Sequence, residues 1–319
     1  MTRLHVLNAP GALTFDEDAL RRRLAEAGGL DVTISHDLAR LADEIGEAEI
    51  LYTNTKTDLG TLRARAPALK WVQIISAGVE TLLPTLPADL ILTNASGVHA
   101  EKGGEFVLAS VLLLNYRIPA FQERQRRHEW VQDFVRPLRG KRAVVLGSGA
   151  IGGEAIRLLA GRGMEVIAVN RSGRAAEGAA STVTIEELDE VLARASVLVS
   201  ALPATGGTEG LIDARRLALL PAGTGVVSVG RAAVFDHDAL CAALHSGHLG
   251  GAVLDVFPVE PIPADDPTWG VPGLVVTPHC SVDDNKGYLD RCTDIFLQNL
   301  AARRAGEPMP TRVDPAAGY

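Results

Sequence analysis

The sequence predicts an α/β protein made of two units, each built on a parallel sheet. Three observations carry this expectation. Short, continuous apolar runs alternate with helix-like segments, the rhythm of strands covered on both faces. The rhythm runs twice, before and after a long helical stretch at 99–128. The 319 residues are enough for two domains, each with its own core.

In the first unit, "LHVLNA" (4–9), "DVTIS" (31–35), "AEILYT" (48–53), "KWVQII" (70–75) and "LILTNA" (90–95) read as strands. "DEDALRRRLAEAGG" (16–29), with an acidic start and a glycine stop, reads as a helix between them. The long helix follows, with the apolar face "FVLASVLLL" and the charged tail "QERQRRHEW". Strands then resume at "AVVLG" (143–147), "EVIAVN" (165–170), "SVLVSAL" (196–202), "TGVVSVG" (224–230), "GAVLDVF" (251–257) and "LVVTP" (274–278). A helix is predicted over 184–195, opened by the capping box Thr184-x-x-Glu187. A last amphipathic helix is predicted over about 283–305, ending at Gly306 with Pro308 beyond it.

Composition narrows the function. A hydrophobic fraction of 47% and a charged fraction of 22% are those of a soluble globular protein. A net charge of −8 without a long basic run argues against a nucleic-acid partner. The start "MTRLHVLNAPG" does not read as a signal peptide, and "FVLASVLLLNY" is too short to span a bilayer. Cys241, Cys280 and Cys292 follow no metal-ligand spacing, so no metal site is expected and a reducing, cytoplasmic setting is.

The chemistry begins at Gly147-Ser148-Gly149-Ala150-Ile151-Gly152, a G-x-G-x-x-G turn directly after a strand and before a helix. In this context Gly147 permits the tight turn, Gly149 lets backbone approach a pyrophosphate, and Gly152 lets helix pack on strand. The helix start at Ala150 and Ile151 offers free N–H groups to phosphates. A dinucleotide is therefore expected. The next strand ends at Asn170-Arg171-Ser172, without the Asp or Glu that usually meets a free ribose 2′-hydroxyl. An arginine and a hydroxyl suit a 2′-phosphate. NADP(H) is expected, with NAD(H) as the alternative in which Arg171 is a solvated residue stacking on adenine.

Three residues at downstream strand ends have chemical work available. Arg231 follows "VVSVG", Glu260 lies in "LDVFPVEPIP", and His279 lies in "VVTPHCS". Histidine can give or take the proton that accompanies a hydride, a carboxylate beside it favours the imidazolium, and arginine polarises a carbonyl. Singly, each has an ordinary reading: a structural histidine, a loop acid, a surface charge.

Together with their surroundings these residues resemble the D-2-hydroxyacid dehydrogenase family. The likeness runs through "VGRAAVFDHDALCAALHSGHLGGAVLDVFPVEPIPADDPTW" and "VVTPHCS". It extends to "KWVQIISAGVE", "LTNASGVHAEKGGEFVLASVLLL", "LPATGGTEGLID" and "FLQNLAARRAGEPMPTRVD", nearly the whole chain. It implies two Rossmann-like domains, 1–97 with 283–319 for substrate and 98–282 for cofactor, with the active site in the interdomain cleft. Arg231, Glu260 and His279 match the family's catalytic set. Asp255 matches the acid that meets the nicotinamide carboxamide, and Leu202, Pro203, Val229 and Gly230 join the cofactor contacts. The backbone of Ser76, Ala77, Gly78 and Val79 matches the loop that grips the substrate carboxylate, with Arg231 and His279 completing the substrate site.

The resemblance also implies a homodimer through the cofactor domains, although "ERQRRH" in the long helix reads equally as a solvated face. Two departures from the family pattern stand out. Ala232 replaces a glycine after Arg231, and Pro258 stands where an acid is frequent. Cys280 beside His279 is read as structural. The expected reaction is reduction of a small 2-oxo acid of the glyoxylate/hydroxypyruvate kind to the D-2-hydroxy acid. A bulkier substrate such as phenylpyruvate, or a dinucleotide-sensing partner protein of the same fold, is the alternative. A 3-phosphoglycerate dehydrogenase is disfavoured, since such enzymes usually prefer NAD and carry an added regulatory domain.

Overall fold

In a computed structural model the structure describes residues 1–282 and 287–316. The chain divides into two compact units, Met1–Val98 with Asp284–Tyr319, and His99–Asp283. The crossover expected at residue 283 lies outside the described residues.

The first unit opens with β1 (Thr2–Leu7), α1 (Glu17–Ala27) and β2 (Leu30–Ser35). It continues through α2 (Leu41–Glu44), β3 (Ile50–Thr53), α3 (Leu59–Arg65), β4 (Trp71–Ile74) and β5 (Ile91–Thr93). Its five strands are parallel in the order β2-β1-β3-β4-β5. β3 and β4 are buried at every position, as continuous apolar runs require. α1 starts where the Asp16 carboxylate accepts from the Ala19 amide at 3.0 Å, a side-chain cap.

The second unit begins with α4 (Ala100–Asn115), α5 (Ile118–Arg126), β6 (Arg142–Leu146) and α6 (Ala150–Gly161). It proceeds through β7 (Glu165–Val169), β8 (Ser181–Val183), α7 (Leu188–Leu192), β9 (Val197–Ser200) and α8 (Ala214–Leu219). It ends with β10 (Gly225–Ser228), α9 (His237–His245), β11 (Gly251–Leu254) and β12 (Leu274–Val276). Seven parallel strands lie in the order β12-β11-β10-β9-β6-β7-β8. β6 sits between β7 and β9, so the strand order reverses at β6. Ligands of open α/β sheets bind outside the carboxyl ends of the strands at such a switch point. The final helix, α10 (Tyr288–Ala305), belongs to the first unit. Its Phe296 is fully buried and stacks on Tyr52 of β3 at 4.8 Å and on Trp71 of β4 at 5.2 Å.

Four local expectations need correction. The helix read over 99–128 is two helices bent by 57°, because Arg117 takes φ 53° and Pro119 opens the second. Proline has no N–H to donate, and its ring collides with the preceding turn. Among the described residues no single helix is long and apolar enough to cross a membrane. The 184–195 helix is short, a 3-10 turn at Ile185–Glu187 and then α7. Its capping box does form at Thr184, whose amide donates to the Glu187 carboxylate at 3.1 Å. β8 was not expected, since three partly exposed edge residues carry no period. Several strands stop two or three residues short of the apolar run. Val229 and Gly230 therefore leave β10 as loop backbone, and Asp255, Val256 and Phe257 leave β11.

Candidate active site

The site of the second unit grows from the ends of β6, β7, β10, β11 and β12. After β6, Gly147 turns the chain at φ 90°, a region closed to most side chains. A Cβ on Gly152 would stand 1.9 Å from the Gly147 carbonyl oxygen, so only glycine lets α6 begin this close to the turn. A Cβ on Gly149 would meet nothing within 4 Å, which leaves the turn open on its outer side. Ala150, Ile151 and Gly152 form the first turn of α6, where amides have no intrahelical acceptor and the helix dipole is positive. This cradle fits a pyrophosphate. It is flanked by Leu202, whose side chain lies against Gly147 and whose carbonyl lies against Gly230. Val229 donates its amide to Ser200 at 3.0 Å, and Pro203 accepts from the Thr208 hydroxyl at 2.6 Å.

After β7, the Asn170 carboxamide donates to the Ser148 hydroxyl at 3.0 Å and to the Arg174 carbonyl at 2.9 Å. Asn170 thus ties the glycine turn to the 171–174 loop, a link the sequence reading did not contain. Arg171 and Ser172 are exposed on that loop, and no carboxylate stands at the strand end.

Arg231 leaves β10 half-buried, with its guanidinium donating to the Gly230 carbonyl at 3.1 Å. Ala232 opens a 3-10 turn, Ala232–Val234, without positive φ, so the missing glycine does not disturb this backbone. Glu260 and His279 meet directly, Oε2 to Nδ1 at 2.7 Å. The other oxygen of Glu260 accepts from the Phe257 amide at 2.8 Å, which aims the carboxylate. Burial works against the ionised carboxyl. The hydrogen bonds from His279 and Phe257 and the charges of His279 and Arg231 outweigh it, holding Glu260 below its ordinary range. His279 Nε2 has no partner among the described residues.

His279 itself takes φ 48°, an uncommon conformation for a side chain other than glycine. Asp255 shows what holds it there. This carboxylate, 1% exposed, accepts from the Thr277 and Ser281 hydroxyls at 2.6 Å each. It also accepts from the amides of Cys280 at 3.1 Å and Ser281 at 3.2 Å. Asp255, which the family resemblance puts at the nicotinamide, clamps the loop that carries the histidine through the hydroxyl residues flanking "PHC".

The first unit presents the other expected loop. Ser76, Ala77 and Gly78 are partly exposed and Val79 is buried just beyond β4. Among the described residues the amides of Ser76, Ala77, Gly78 and Val79 have no hydrogen-bond acceptor. Four adjacent N–H groups are thus unengaged, donors of the kind an anion takes.

Comparison with known proteins follows the same lines. A family profile described as D-isomer specific 2-hydroxyacid dehydrogenase, NAD binding domain, matches residues 108–281. A D-isomer specific 2-hydroxyacid dehydrogenase from Xanthobacter autotrophicus, solved with NADPH and MES, is 33% identical. The match covers 100% of this chain and 99% of that one at a TM-score of 0.82. An NADPH-dependent glyoxylate/hydroxypyruvate reductase from Sinorhizobium meliloti, solved with NADP and sulfate, is 28% identical, with full coverage of both chains (100% each) and a TM-score of 0.80. A D-3-phosphoglycerate dehydrogenase of Mycobacterium tuberculosis is 30% identical over 88% of this chain, which spans 54% of that protein's length.

Proposed function

The chain belongs to the D-isomer specific 2-hydroxyacid dehydrogenase family, and from that premise we propose that it reduces a small 2-oxo acid, of the glyoxylate/hydroxypyruvate kind, to the D-2-hydroxy acid with NADP(H). The observation that carries this reading is the Glu260–His279 pair at 2.7 Å, with Arg231 near enough to lower the Glu260 carboxyl. A proton donor, its charge partner and a carbonyl-polarising cation come from the ends of successive strands, where this fold binds ligands.

The dinucleotide would be held by Gly147, Gly149, Ala150, Ile151 and Gly152 at its pyrophosphate, and by Asn170, Arg171 and Ser172 at its ribose 2′-phosphate. Leu202, Pro203, Val229, Gly230 and Asp255 would line its nicotinamide end. Bound NADPH supplies the hydride that C2 of the 2-oxo acid accepts. His279, whose Nδ1 is engaged by Glu260, gives its Nε2 proton to the carbonyl oxygen. Glu260 stabilises the imidazolium before transfer and fixes the ring. Arg231 pairs with the carbonyl oxygen and the carboxylate, stabilising charge as it builds on oxygen. The amides of Ser76, Ala77, Gly78 and Val79 take the carboxylate. NADP(H) is favoured by the absence of an acid after β7, and it is also the cofactor named with the two similar solved proteins. Three free thiols fit a cytoplasmic setting. Pairing of two copies through the cofactor unit would cover Trp130 and Phe134, 95% and 88% exposed.

The test is steady-state reduction of glyoxylate, hydroxypyruvate, pyruvate and phenylpyruvate with NADPH and with NADH. Glyoxylate or hydroxypyruvate with NADPH should give the highest kcat/KM. His279→Ala should lower kcat by about 10²–10⁴-fold while NADPH still binds. A preference for phenylpyruvate would overturn the substrate, and a preference for NADH the cofactor. Tight NADPH binding without turnover of any acid would make the chain a dinucleotide sensor.

A further inference from the structure

At the amino ends of the second sheet, opposite the glycine turn, the second unit holds a cavity of about 420 Å³. That volume is in the range of small-molecule sites, about 300–1,000 Å³. Strands of four or five residues, at about 3.3 Å each, separate it by about 15 Å from the carboxyl ends. Its walls are apolar: Val111 and Leu114 of α4, Leu138, Met164, Val197 of β9 and Leu249. Where β10 and β11 enter, the lining is glycine backbone, and close packing requires it. A Cβ on Gly250 would stand 2.4 Å from the Gly223 oxygen, and one on Gly225 3.1 Å from the Leu114 side chain. The strand starts therefore send no side chains of their own into the space.

One edge of this apolar space is positive. Lys141, half-buried just before β6, lines it and donates to the Asn115 carboxamide at 2.5 Å. Among the described residues no carboxylate pairs with Lys141. Burial pushes its ammonium below the ordinary range, and the charges of Arg117 and Arg136 push the same way. The one acid near them, Asp133, accepts from Arg117 at 2.7 Å. Three cations thus share a single counter-charge. Ser196, just before β9, lines the same cavity, and among the described residues its hydroxyl has no partner. A cation partly out of water without an anion is an incomplete pair, and an incoming carboxylate completes it. A bare inorganic anion would leave the apolar walls uncovered, whereas an acid with an apolar body fills both halves. We propose that this cavity is a binding site for a small organic acid, its carboxylate on Lys141 and the Ser196 hydroxyl and its apolar body against Val111, Leu114 and Val197. The site is separate from Arg231, Glu260 and His279, and it stands whether or not these carry the proposed reduction.

The probe is 3-phenylpropionate, which has no 2-oxo group to reduce. It is titrated calorimetrically into the full chain, with NADPH and oxamate present to occupy the candidate active site. 3-Phenylpropan-1-ol has the same body without the charge, and acetate has the charge without the body. The acid should bind with a Kd of about 1 mM or below, and the alcohol and acetate at least about tenfold more weakly. Lys141→Met keeps an apolar stem and removes the charge. It should weaken the acid about ten- to 100-fold and leave the alcohol within about threefold. It should also melt no lower than the unsubstituted protein, because it removes a partly buried charge that has no counter-ion. Ser196→Ala, at an exposed position, should weaken the acid about two- to tenfold. Equal affinity for acid and alcohol, or unchanged acid affinity in Lys141→Met, would overturn the carboxylate contact and with it the proposal. A lower melting temperature in Lys141→Met, together with unchanged acid binding in Ser196→Ala, would also overturn it, assigning Lys141 to the fold alone. No binding of the acid to the unsubstituted protein would remove the site itself and leave the cavity to be covered by a second copy of the chain.

Discussion

Each of the two units carries a row of unengaged backbone amides beyond a strand end, and they build it by opposite means. In the cofactor unit the cradle is local. Six consecutive residues, Gly147 to Gly152, turn the chain and start a helix whose dipole adds to the amides. In the first unit the loop after β4 starts no such helix. There donors from elsewhere hold the carbonyls: the Asn94 carboxamide holds that of Ala77, 17 positions away, and the Tyr288 hydroxyl that of Ile75, 213 positions away. Steric necessity at glycine makes the first cradle, and side-chain tethering makes the second. The first should therefore fail all at once when a single atom is added, and the second should weaken bond by bond.

The largest effect is expected at Gly152→Ala. The added carbon falls 1.9 Å from the Gly147 oxygen and 2.9 Å from its carbonyl carbon, both backbone atoms that can move only with the turn. Overpacking of this kind costs about 1–3 kcal/mol. Here it also displaces the amides proposed for the pyrophosphate, so NADPH binding should become unmeasurable by fluorescence titration while the first unit is unaffected. NADPH affinity within about tenfold of the unsubstituted protein would show that the turn yields, and the contrast between the cradles would be lost.

The same contrast decides what was legible in the sequence. The glycine turn was legible because its physics is contained in six adjacent residues. The parallel strands were legible because strands covered on both faces are apolar throughout. The break at Arg117–Pro119 was missed because the apolar stripe on either side outweighed one proline. β8 was missed because three edge residues carry no pattern. Arg231, Glu260 and His279 were singled out by strand-end position and read as a set through the family resemblance; the 2.7 Å contact between the last two spans 19 positions. The clamp of Asp255 on the His279 loop spans 22 to 26 positions, and the Asn94 tether is equally remote from local pattern. Each such residue has an ordinary type at an ordinary strand end, and only the fold supplies its partner.

A middle-sized effect is expected at Arg171→Ala, on the loop that Asn170 ties to the glycine turn. If Arg171 pairs with a 2′-phosphate, removing it costs a charge-assisted bond, about ten- to 100-fold in KM for NADPH. KM for NADH should stay within about twofold, because the turn itself is intact. Equal losses with both cofactors would place Arg171 on the adenine face common to them. The cradle would then read phosphate only through its backbone.

The smallest effect is expected at Tyr288→Phe, in the tethered loop. The phenol bonds the Ile75 carbonyl at 2.7 Å, but the Cys292 thiol stands on the same oxygen at 3.6 Å. Burial pushes that thiol up to about 12, so it keeps its proton and remains a weak donor across the working range. Loss of the phenol should cost about 1 kcal/mol in unfolding of the first unit, read by denaturant titration. KM for the 2-oxo acid should rise less than about threefold, because the Cys292 thiol still holds the Ile75 carbonyl, and that carbonyl turns only the Ser76 amide, the first of the four. A rise of about tenfold or more would mean that the loop moves as one rigid body. Its amides would then be set by the anchoring of the whole segment to α10, and the carbonyl-by-carbonyl account of the second cradle would have to give way.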